Sequence, residues 1–320
     1  MAHRRDDFPD LQAVAVHGVV SANALDGVGV GGSMRRRLVR EGTLTLVRHG
    51  IYAIGQPTGT WQQRAAIVLA SAGEDAVLAR SGAARSWALD GFVARPGDRP
   101  LVTATPVNIP REASRRPADV YRVRELEAPM SRQGLPVTGI NQTLIELGAA
   151  LPIATSPGGH LLTAADQVEL AVESALRLGY TTVAELTEVL GSCGGRRAGI
   201  AVLQEVLDRR PFEIACTESW LETRAVQVLR YAGIDDVDRQ VTVYDRRGVR
   251  IGRVDLRVGR VIIECDGRQF HADFEKDRVR WAALHSIGYL VLPASFMLIE
   301  FQTTEFLRSL ADLQARASHA

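Results

Sequence analysis

The spacing of apolar residues along the chain divides it into three regions. Residues 8–55 combine short stretches of helical spacing with two short strand-like segments, and residues 60–205 are dominated by helical spacing. From residue 217 onward, an amphipathic helix precedes apolar strand-like runs that alternate with further helices. This pattern predicts an α/β protein overall, with domains over residues 1–57, 58–210 and 211–320.

The first region has the signals of two short helices followed by a hairpin. Ser21 is placed to cap a helix from Ala22 to Asp26, and a glycine-rich turn follows that helix. Ser33 is placed in the same way before a helix from Met34 to Arg40. Two short strands are expected next, Leu44 to Val47 and Ile51 to Ile54. Two helices, a turn and a hairpin in this order predict a winged helix-turn-helix.

The second helix of this region is dense in arginine, and the hairpin after it is basic at its tip. Such side chains suit a helix in the major groove with a wing on the adjacent phosphates, so double-stranded DNA is the expected partner. The alternative is a solvated basic helix face. The candidate DNA-binding residues here are Arg35, Arg36, Arg37, Arg40 and Arg48.

Two short motifs in the same region point to a family. Gly18-Val-Val-Ser-Ala-Asn-Ala-Leu25 and His49-Gly-Ile-Tyr-Ala53 resemble the N-terminal domain of AbiEi-type antitoxins. These antitoxins belong to type IV toxin–antitoxin systems and repress their own promoters. The resemblance therefore implies a DNA-binding domain and adds a cognate toxin as a candidate partner.

Residues 58–210 are expected to form a mixed α+β region. Helices are predicted over Trp61 to Ala72 and Ala79 to Gly91, and strands over Leu101 to Thr105 and Val120 to Val123. No set of residues in this region has the spacing of a catalytic or metal site. The segment Arg209-Arg210-Pro211 is expected to separate it from the last domain.

A predicted hairpin in the last domain brings acidic residues together. A two-residue turn at Val258-Gly259 would pair Asp255 with Ile262. Side chains alternate between the two faces of a strand, and cross-strand partners share a face. Asp255 is therefore expected on the same face as Glu264 and Asp266.

Three carboxylates on one face repel each other and titrate together unless a cation lies between them. Clustered oxygen ligands suit Mg²⁺ or Mn²⁺, which makes Asp255, Glu264 and Asp266 candidate metal ligands. His271 follows just beyond the strand and could act as a base, a ligand or a donor to phosphate. The alternative is a set of acidic residues on the exposed face of an edge hairpin, with Asp266-Gly267 as an ordinary turn pair.

Five segments of the last domain form a specific motif set: Thr217-Glu-Ser-Trp-Leu-Glu222, Val254-Asp-Leu256, Ile263-Glu-Cys-Asp-Gly267, Phe270-His271 and Asp277-Arg-Val-Arg280. They resemble the very-short-patch repair endonucleases, a branch of the PD-(D/E)xK nuclease-like fold. The resemblance implies a restriction-endonuclease-like α/β domain that hydrolyses DNA phosphodiesters with Mg²⁺. It also implies a catalytic site of Asp255, as central metal ligand, with Glu264, Asp266, His271 and Glu222.

The helix after His271 adds basic side chains to this site. Lys276, Arg278 and Arg280 lie on it and are expected to hold phosphates. Glu222 lies on a helix expected to begin with Thr217 as its N-cap, on the side of that helix which can lean over the sheet edge.

Two departures from the family pattern support a second function. Asp266 stands where the fold usually has a lysine, and Leu292-Pro293 stand where relatives often carry an arginine. A non-catalytic transcriptional repressor or antitoxin, which keeps the nuclease fold as a binding scaffold, fits these departures. A pure interaction scaffold is a third class, and the acidic cluster argues against it.

The amino-acid composition limits the class of protein but does not indicate a function. A hydrophobic content of 46% and a charged content of 23% are typical of a soluble globular protein. The formal net charge of +1 means that DNA binding has to rest on local clusters of arginine. Three widely spaced cysteines and an N-terminus without an apolar signal core predict a cytoplasmic protein with no membrane partner.

Overall fold

A computed structural model describes residues 10–73, 75–92, 102–104, 120–122, 128–193, 197–210, 215–266 and 274–318. The chain divides into two compact units. Unit 1 comprises Met1–Ala88 and Phe92–Thr143, and unit 2 comprises Leu89–Gly91 and Leu144–Ala320. Both units contain helices and sheets, so the fold is α/β overall, as predicted.

Unit 1 begins with a short 3-10 helix, two α-helices and a three-stranded sheet. The elements are Leu11–Val14 (3-10), β1 (Val19–Ser21), α1 (Ala22–Gly27), α2 (Gly32–Arg40), β2 (Leu44–Arg48) and β3 (Ile51–Ile54). Strand β3 lies between β1 and β2 and is antiparallel to both. Two helices followed by a hairpin that pairs back onto β1 form the predicted helix-turn-helix with a wing.

The two predicted serine caps have different outcomes. Ser21 caps α1, because its Oγ accepts a hydrogen bond from the Ala24 amide at 3.1 Å. Ser33 does not cap α2, which begins one residue earlier and has Gly31 at its N-cap position without a side-chain bond. The prediction for Ser33 is wrong because Gly31 has the extended backbone of an N-cap, which places Ser33 inside the first turn of α2.

The remainder of unit 1 is a small mixed sheet with helices. Its elements are α3 (Trp61–Ala72), β4 (Val77–Leu78), α4 (Arg80–Ser86), β5 (Val102–Ala104), β6 (Val120–Arg122), β7 (Met130–Arg132) and β8 (Leu135–Val137). The strand order is β6-β5-β4-β8-β7, with two parallel and two antiparallel pairs. Helix α4 is shorter than predicted and ends at Ser86, since Ala88 takes a left-handed conformation (φ 58°) that no helix can continue through.

Helix α5 (Ile140–Ala150) runs across the division of the chain, and the other helices and strands of unit 2 follow it. They are β9 (Ala154–Thr155), β10 (Leu161–Leu162), α6 (Ala164–Arg177), α7 (Val183–Cys193), α8 (Ile200–Asp208), α9 (Trp220–Tyr231), β11 (Asp238–Tyr244), β12 (Arg250–Val258), β13 (Val261–Asp266), α10 (Phe274–Ser286), β14 (Leu290–Ser295), α11 (Phe296–Glu300) and α12 (Thr303–Ser318).

A four-stranded sheet with the order β11-β12-β13-β14 organises unit 2. Its first three strands are antiparallel, and β14 returns parallel to β13 after α10. Helices α9, α11 and α12 contribute to the apolar core on one face, and α10 contributes to the core on the other. Val261, Ile262 and Ile263 are all fully buried, which explains why β13 is a continuous apolar run rather than an alternating one.

The division predicted at residues 210 and 211 falls inside unit 2. Ion pairs connect helix α6 to β11, where Glu173 contacts Arg239 at 2.9 Å, and to α9, where Glu169 contacts Arg230 at 2.6 Å. Glu173 also contacts Arg210, which follows α8, at 3.1 Å. The spacing of apolar residues cannot predict these buried ion pairs, because charged residues in a sequence are usually interpreted as surface residues.

Candidate active site

The β12–β13 hairpin brings Asp255 closer to Glu264 than the sequence predicts. The pairs are Leu256 with Ile263 and Val258 with Val261, so the turn is at residues 259 and 260 rather than 258 and 259. The same register places Asp255 directly opposite Glu264 instead of Ile262. Cross-strand partners share a face, so the predicted face is correct although the predicted partner is wrong.

The glycine of the turn explains the difference in register. Gly259 has a φ of 59°, a left-handed value that suits the first position of a two-residue hairpin loop. Placing the glycine first moves the turn one residue along the chain and changes every cross-strand pair by two positions. Because strand side chains repeat every two residues, no side chain changes face.

Helix α9 supplies the third carboxylate, Glu222, which is buried. Ser219, and not the predicted Thr217, is the N-cap: its Oγ accepts from the Glu222 amide at 3.2 Å and donates to Glu222 Oε1 at 3.1 Å. The Glu218 amide donates to Glu222 Oε2 at 2.8 Å. Thr217 is instead buried, where its hydroxyl bonds that of Thr223 at 2.6 Å. The capping bonds thus fix the Glu222 side chain at the start of α9.

Burial raises the pKa of Glu222, and the negative charge of Asp255 raises it further, against the hydrogen bonds that the carboxylate accepts. Burial likewise raises the pKa of Asp255, and the charge of Glu218 adds to the effect. The amide of Cys265, which donates to Asp255 Oδ2 at 2.8 Å, and the charge of Arg280 act in the opposite direction. These two carboxylates are therefore held in a setting that disfavours their ionised forms.

Glu264 is buried, with an exposed fraction of 9%, and has a cation beside it. Arg280 Nη2 lies 3.1 Å from Glu264 Oε1, and Arg280 Nη1 donates to the carbonyl of Arg253 at 3.0 Å. Arg253 in turn forms an ion pair with Glu218. The sequence motif assigned Arg280 to phosphate, whereas the structure places its guanidinium against a carboxylate of the candidate site.

The described part of the chain covers only some of the predicted site. Asp266 ends β13, but its side chain lies outside the described residues, as does all of His271. On α10, Arg278 is exposed, and the Lys276 side chain also falls outside the described residues. Among the described residues, no group of three or more His, Cys, Asp or Glu side chains is placed to hold a metal ion. Asp255 and Glu264 are the described members of the predicted metal set.

Gln240 is a member of this cluster that no sequence motif indicated. On β11, the pairs of Arg239 with Leu256 and of Val241 with Val254 leave Gln240 opposite Asp255. Its Nε2 donates to Glu222 Oε2 at 2.7 Å. A glutamine in a strand-like segment has no motif of its own, so only the fold reveals this placement.

The arginines of α2 divide into inward and outward groups. Arg35 is turned toward the protein, where it pairs with Asp26 at 2.6 Å and donates to the carbonyl of Ala22 at 3.0 Å. Arg37 is exposed and lies 3.6 Å from Glu41, and Arg48 ends β2 half-buried. Arg36 and Arg40 are exposed as well.

Comparisons with known proteins add little to this geometry. No family model matches the chain, and no curated protein matches it. In the part of the chain that the structure describes, no helix has the length and apolar character needed to cross a bilayer. Among solved structures, the chain is similar to the crystal structure of the RV2827C protein from Mycobacterium tuberculosis, at 18% identity and a TM-score of 0.38, over 59% of this chain and 71% of that one.

Proposed function

We propose that this is a cytoplasmic DNA-binding protein whose second unit carries a Mg²⁺-dependent endonuclease-like site for phosphodiester hydrolysis. The observation that supports the proposal most is the placement of Asp255 opposite Glu264, with Glu222 close enough for the charge of Asp255 to raise its pKa. The motif set that resembles the very-short-patch repair endonucleases includes all three of these residues.

Burying carboxylates near one another is unfavourable, because each ion loses hydration and repels the others. A fold that served only stability would replace them with apolar residues, which pack as well without the electrostatic cost. Clusters of buried like charges are unfavourable for stability and are typical of functional sites. A divalent cation would relieve the repulsion between the carboxylates.

Each residue of the site has a role in the proposed chemistry. Asp255 and Glu264 would hold the cation with support from Asp266, and Glu222 would complete the acidic cluster. A bound Mg²⁺ polarises a phosphoryl oxygen and lowers the pKa of bound water. His271 would accept a proton from the attacking water or give one to the leaving oxygen.

Basic residues would hold the DNA at this site and at the first unit. Arg278 and Lys276 on α10 would contact phosphates near the carboxylates. The helix-turn-helix would bind duplex DNA through Arg36 and Arg40, two exposed arginines of α2.

The ion pair between Arg280 and Glu264 favours a second candidate function. A guanidinium beside the carboxylate neutralises part of its charge without any metal. A protein built in this way could be a non-catalytic repressor or antitoxin, with DNA and a cognate toxin as partners. In that case the nuclease fold is a binding scaffold, and the first unit performs the DNA recognition.

Incubation of the full chain with supercoiled plasmid, in Mg²⁺ and in Mn²⁺, separates the two candidates. The nuclease predicts nicked or linear products that disappear with Asp255→Asn. Asp238→Asn is the matched control, since Asp238 lies on the neighbouring strand and pairs with Arg257 at the surface. Intact plasmid in both metals would leave the non-catalytic function, whereas equal cleavage by wild type and Asp255→Asn would point to a contaminating nuclease.

A further inference from the structure

Gln240 has an unusual backbone for a strand residue. Its φ is 53°, a left-handed value that is costly for a residue with a side chain. Glycine would adopt this conformation without the cost. A glutamine that stays in a left-handed conformation beside a cluster of carboxylates indicates that its side chain is needed there.

Gln240 lies beside two of the carboxylates. Its Nε2 donates to Glu222 Oε2 at 2.7 Å, and the strand register places Gln240 opposite Asp255. A glutamine amide nitrogen carries two hydrogens, so one of them remains for a second acceptor when the other bonds Glu222. Gln240 Oε1, in contrast, is buried and has no hydrogen-bond partner among the described residues.

We propose that Gln240 is the positioning residue of the carboxylate site: its amide nitrogen holds Glu222 in place beside Asp255, ready for a divalent cation. The inference rests on the proposed function for its cation, and on the hydrogen bond to Glu222 and the strand register for its hold on the site. A neutral donor suits this role. It satisfies a carboxylate acceptor, and it leaves the net negative charge that attracts the cation.

Two substitutions at one position separate this role from a contribution to folding. Gln240→Met keeps the length of the side chain and the strained backbone but has no donor. Gln240→Gly also removes the donor, but it relieves the left-handed strain. The two variants are therefore expected to differ in stability and to agree in every property that depends on the amide.

The first measurement is the affinity of the full chain for Mn²⁺ by isothermal titration calorimetry at neutral pH. Loss of a residue that orients metal ligands typically reduces affinity about 10- to 100-fold. We expect both variants to lose at least about 10-fold, although Gln240→Gly is the more stable of the two. Wild-type affinity in either variant would overturn the positioning role toward the cation.

The second measurement is the free energy of unfolding without metal, between about pH 4 and pH 8. Groups with a raised pKa in the folded state lose their stabilising effect as the pH rises through that pKa. Without the donor, the pKa of Glu222 should rise further, so both variants should lose more stability than wild type across this range. A loss that is equal at every pH would mean a purely structural role for Gln240.

The two measurements also distinguish the inference from the proposed function. The proposed function fails if the wild-type protein does not bind Mn²⁺, or if it binds Mn²⁺ equally well when Asp255 is replaced. The pH measurement then still decides on Gln240, since a steeper loss supports its hold on Glu222 and a parallel loss refutes it.

Discussion

The guanidinium of Arg280 lies 3.1 Å from the carboxylate of Glu264, inside the cluster where a divalent cation is proposed to bind. One positive group therefore already offsets part of the negative charge of the site. Its charge also opposes the rise in the pKa of Asp255. An arginine that assists a cation and one that replaces it predict opposite responses to Mn²⁺ when it is substituted.

Replacing Arg280 tests the balance between these two roles. In Arg280→Met, Glu264 loses the guanidinium beside it, and the metal-free protein should be destabilised by about 1–2 kcal/mol, less than for a fully buried pair because the arginine is partly exposed. The stabilisation by Mn²⁺ should increase, because the cation no longer competes with a guanidinium. Chemical denaturation with and without Mn²⁺ measures both effects.

The control for this prediction is Arg278→Met, at an exposed position on the same helix. A variant that no longer responds to Mn²⁺ would show that Arg280 supports the cation.

The raised pKa values of Glu222 and Asp255 predict how stability depends on pH. A carboxyl with a folded-state pKa above its unfolded value binds protons more tightly in the folded protein. Its contribution to stability is complete below the unfolded value, 4.5 for Glu222 and 3.8 for Asp255, and is lost as the pH rises through the folded value. We therefore expect Asp255→Asn to reduce the decline in stability above about pH 4. Urea denaturation at several pH values without metal checks this, and identical slopes in the two proteins would contradict it.

Glu173 should be essential for the stability of unit 2. It bonds Arg210, Arg239 and the amide of Thr217, at 3.1, 2.9 and 3.0 Å, and is itself buried. Removing one partner of a buried ion pair typically costs about 3–5 kcal/mol, because the remaining charges stay buried. Glu173→Met should therefore lower the unfolding free energy by an amount of this order. The control Glu188→Met, at an exposed position on α7, should change it by less than about 0.5 kcal/mol. Equal effects would exclude a structural role for this network.

The division of the α2 arginines predicts two kinds of variant. A double substitution of two exposed arginines, Arg36→Ala and Arg40→Ala, should weaken duplex binding without loss of stability. It should also reduce the salt dependence of binding by about 0.9 for each phosphate that an arginine no longer neutralises. Arg35→Ala should instead destabilise the fold, because its bonds to Asp26 and the Ala22 carbonyl hold the turn between the helices. Fluorescence anisotropy at several salt concentrations and thermal unfolding measure the two effects. DNA binding that is unchanged in the double variant would place the DNA-binding surface elsewhere.

The fold could be predicted from the sequence where apolar spacing determines it. The helices of the first region, the β12–β13 hairpin and the faces of its strands follow from that spacing. The cross-strand partner of Asp255 could not be predicted, because the sequence allows two placements of the turn. Gly259 is the second residue of the loop in one placement and the first residue in the other. The assignment of α6 to unit 2 depends on Glu173 and its arginines, and charged residues give no signal of burial in a sequence.

The candidate site shows the same limit. Asp255, Glu264 and Glu222 could be found from motif and periodicity, because carboxylates interrupt apolar segments. Gln240 could not be found in that way, because its role depends on a position opposite Asp255 in a neighbouring strand and on a left-handed backbone. Arg280 was found as a basic residue, but its partner depends on how α10 packs against the sheet.

The measurement that tests the proposed cation site most directly is the unfolding temperature of the full chain as Mn²⁺ is added. A cation that binds only the folded protein stabilises it by mass action, by about 2.7 kcal/mol at one hundred times its dissociation constant. We predict a rise in unfolding temperature for wild type and for the control Asp238→Asn, and none for Asp255→Asn. The same rise in Asp255→Asn, or no rise in wild type, would contradict a cation site at Asp255 and Glu264.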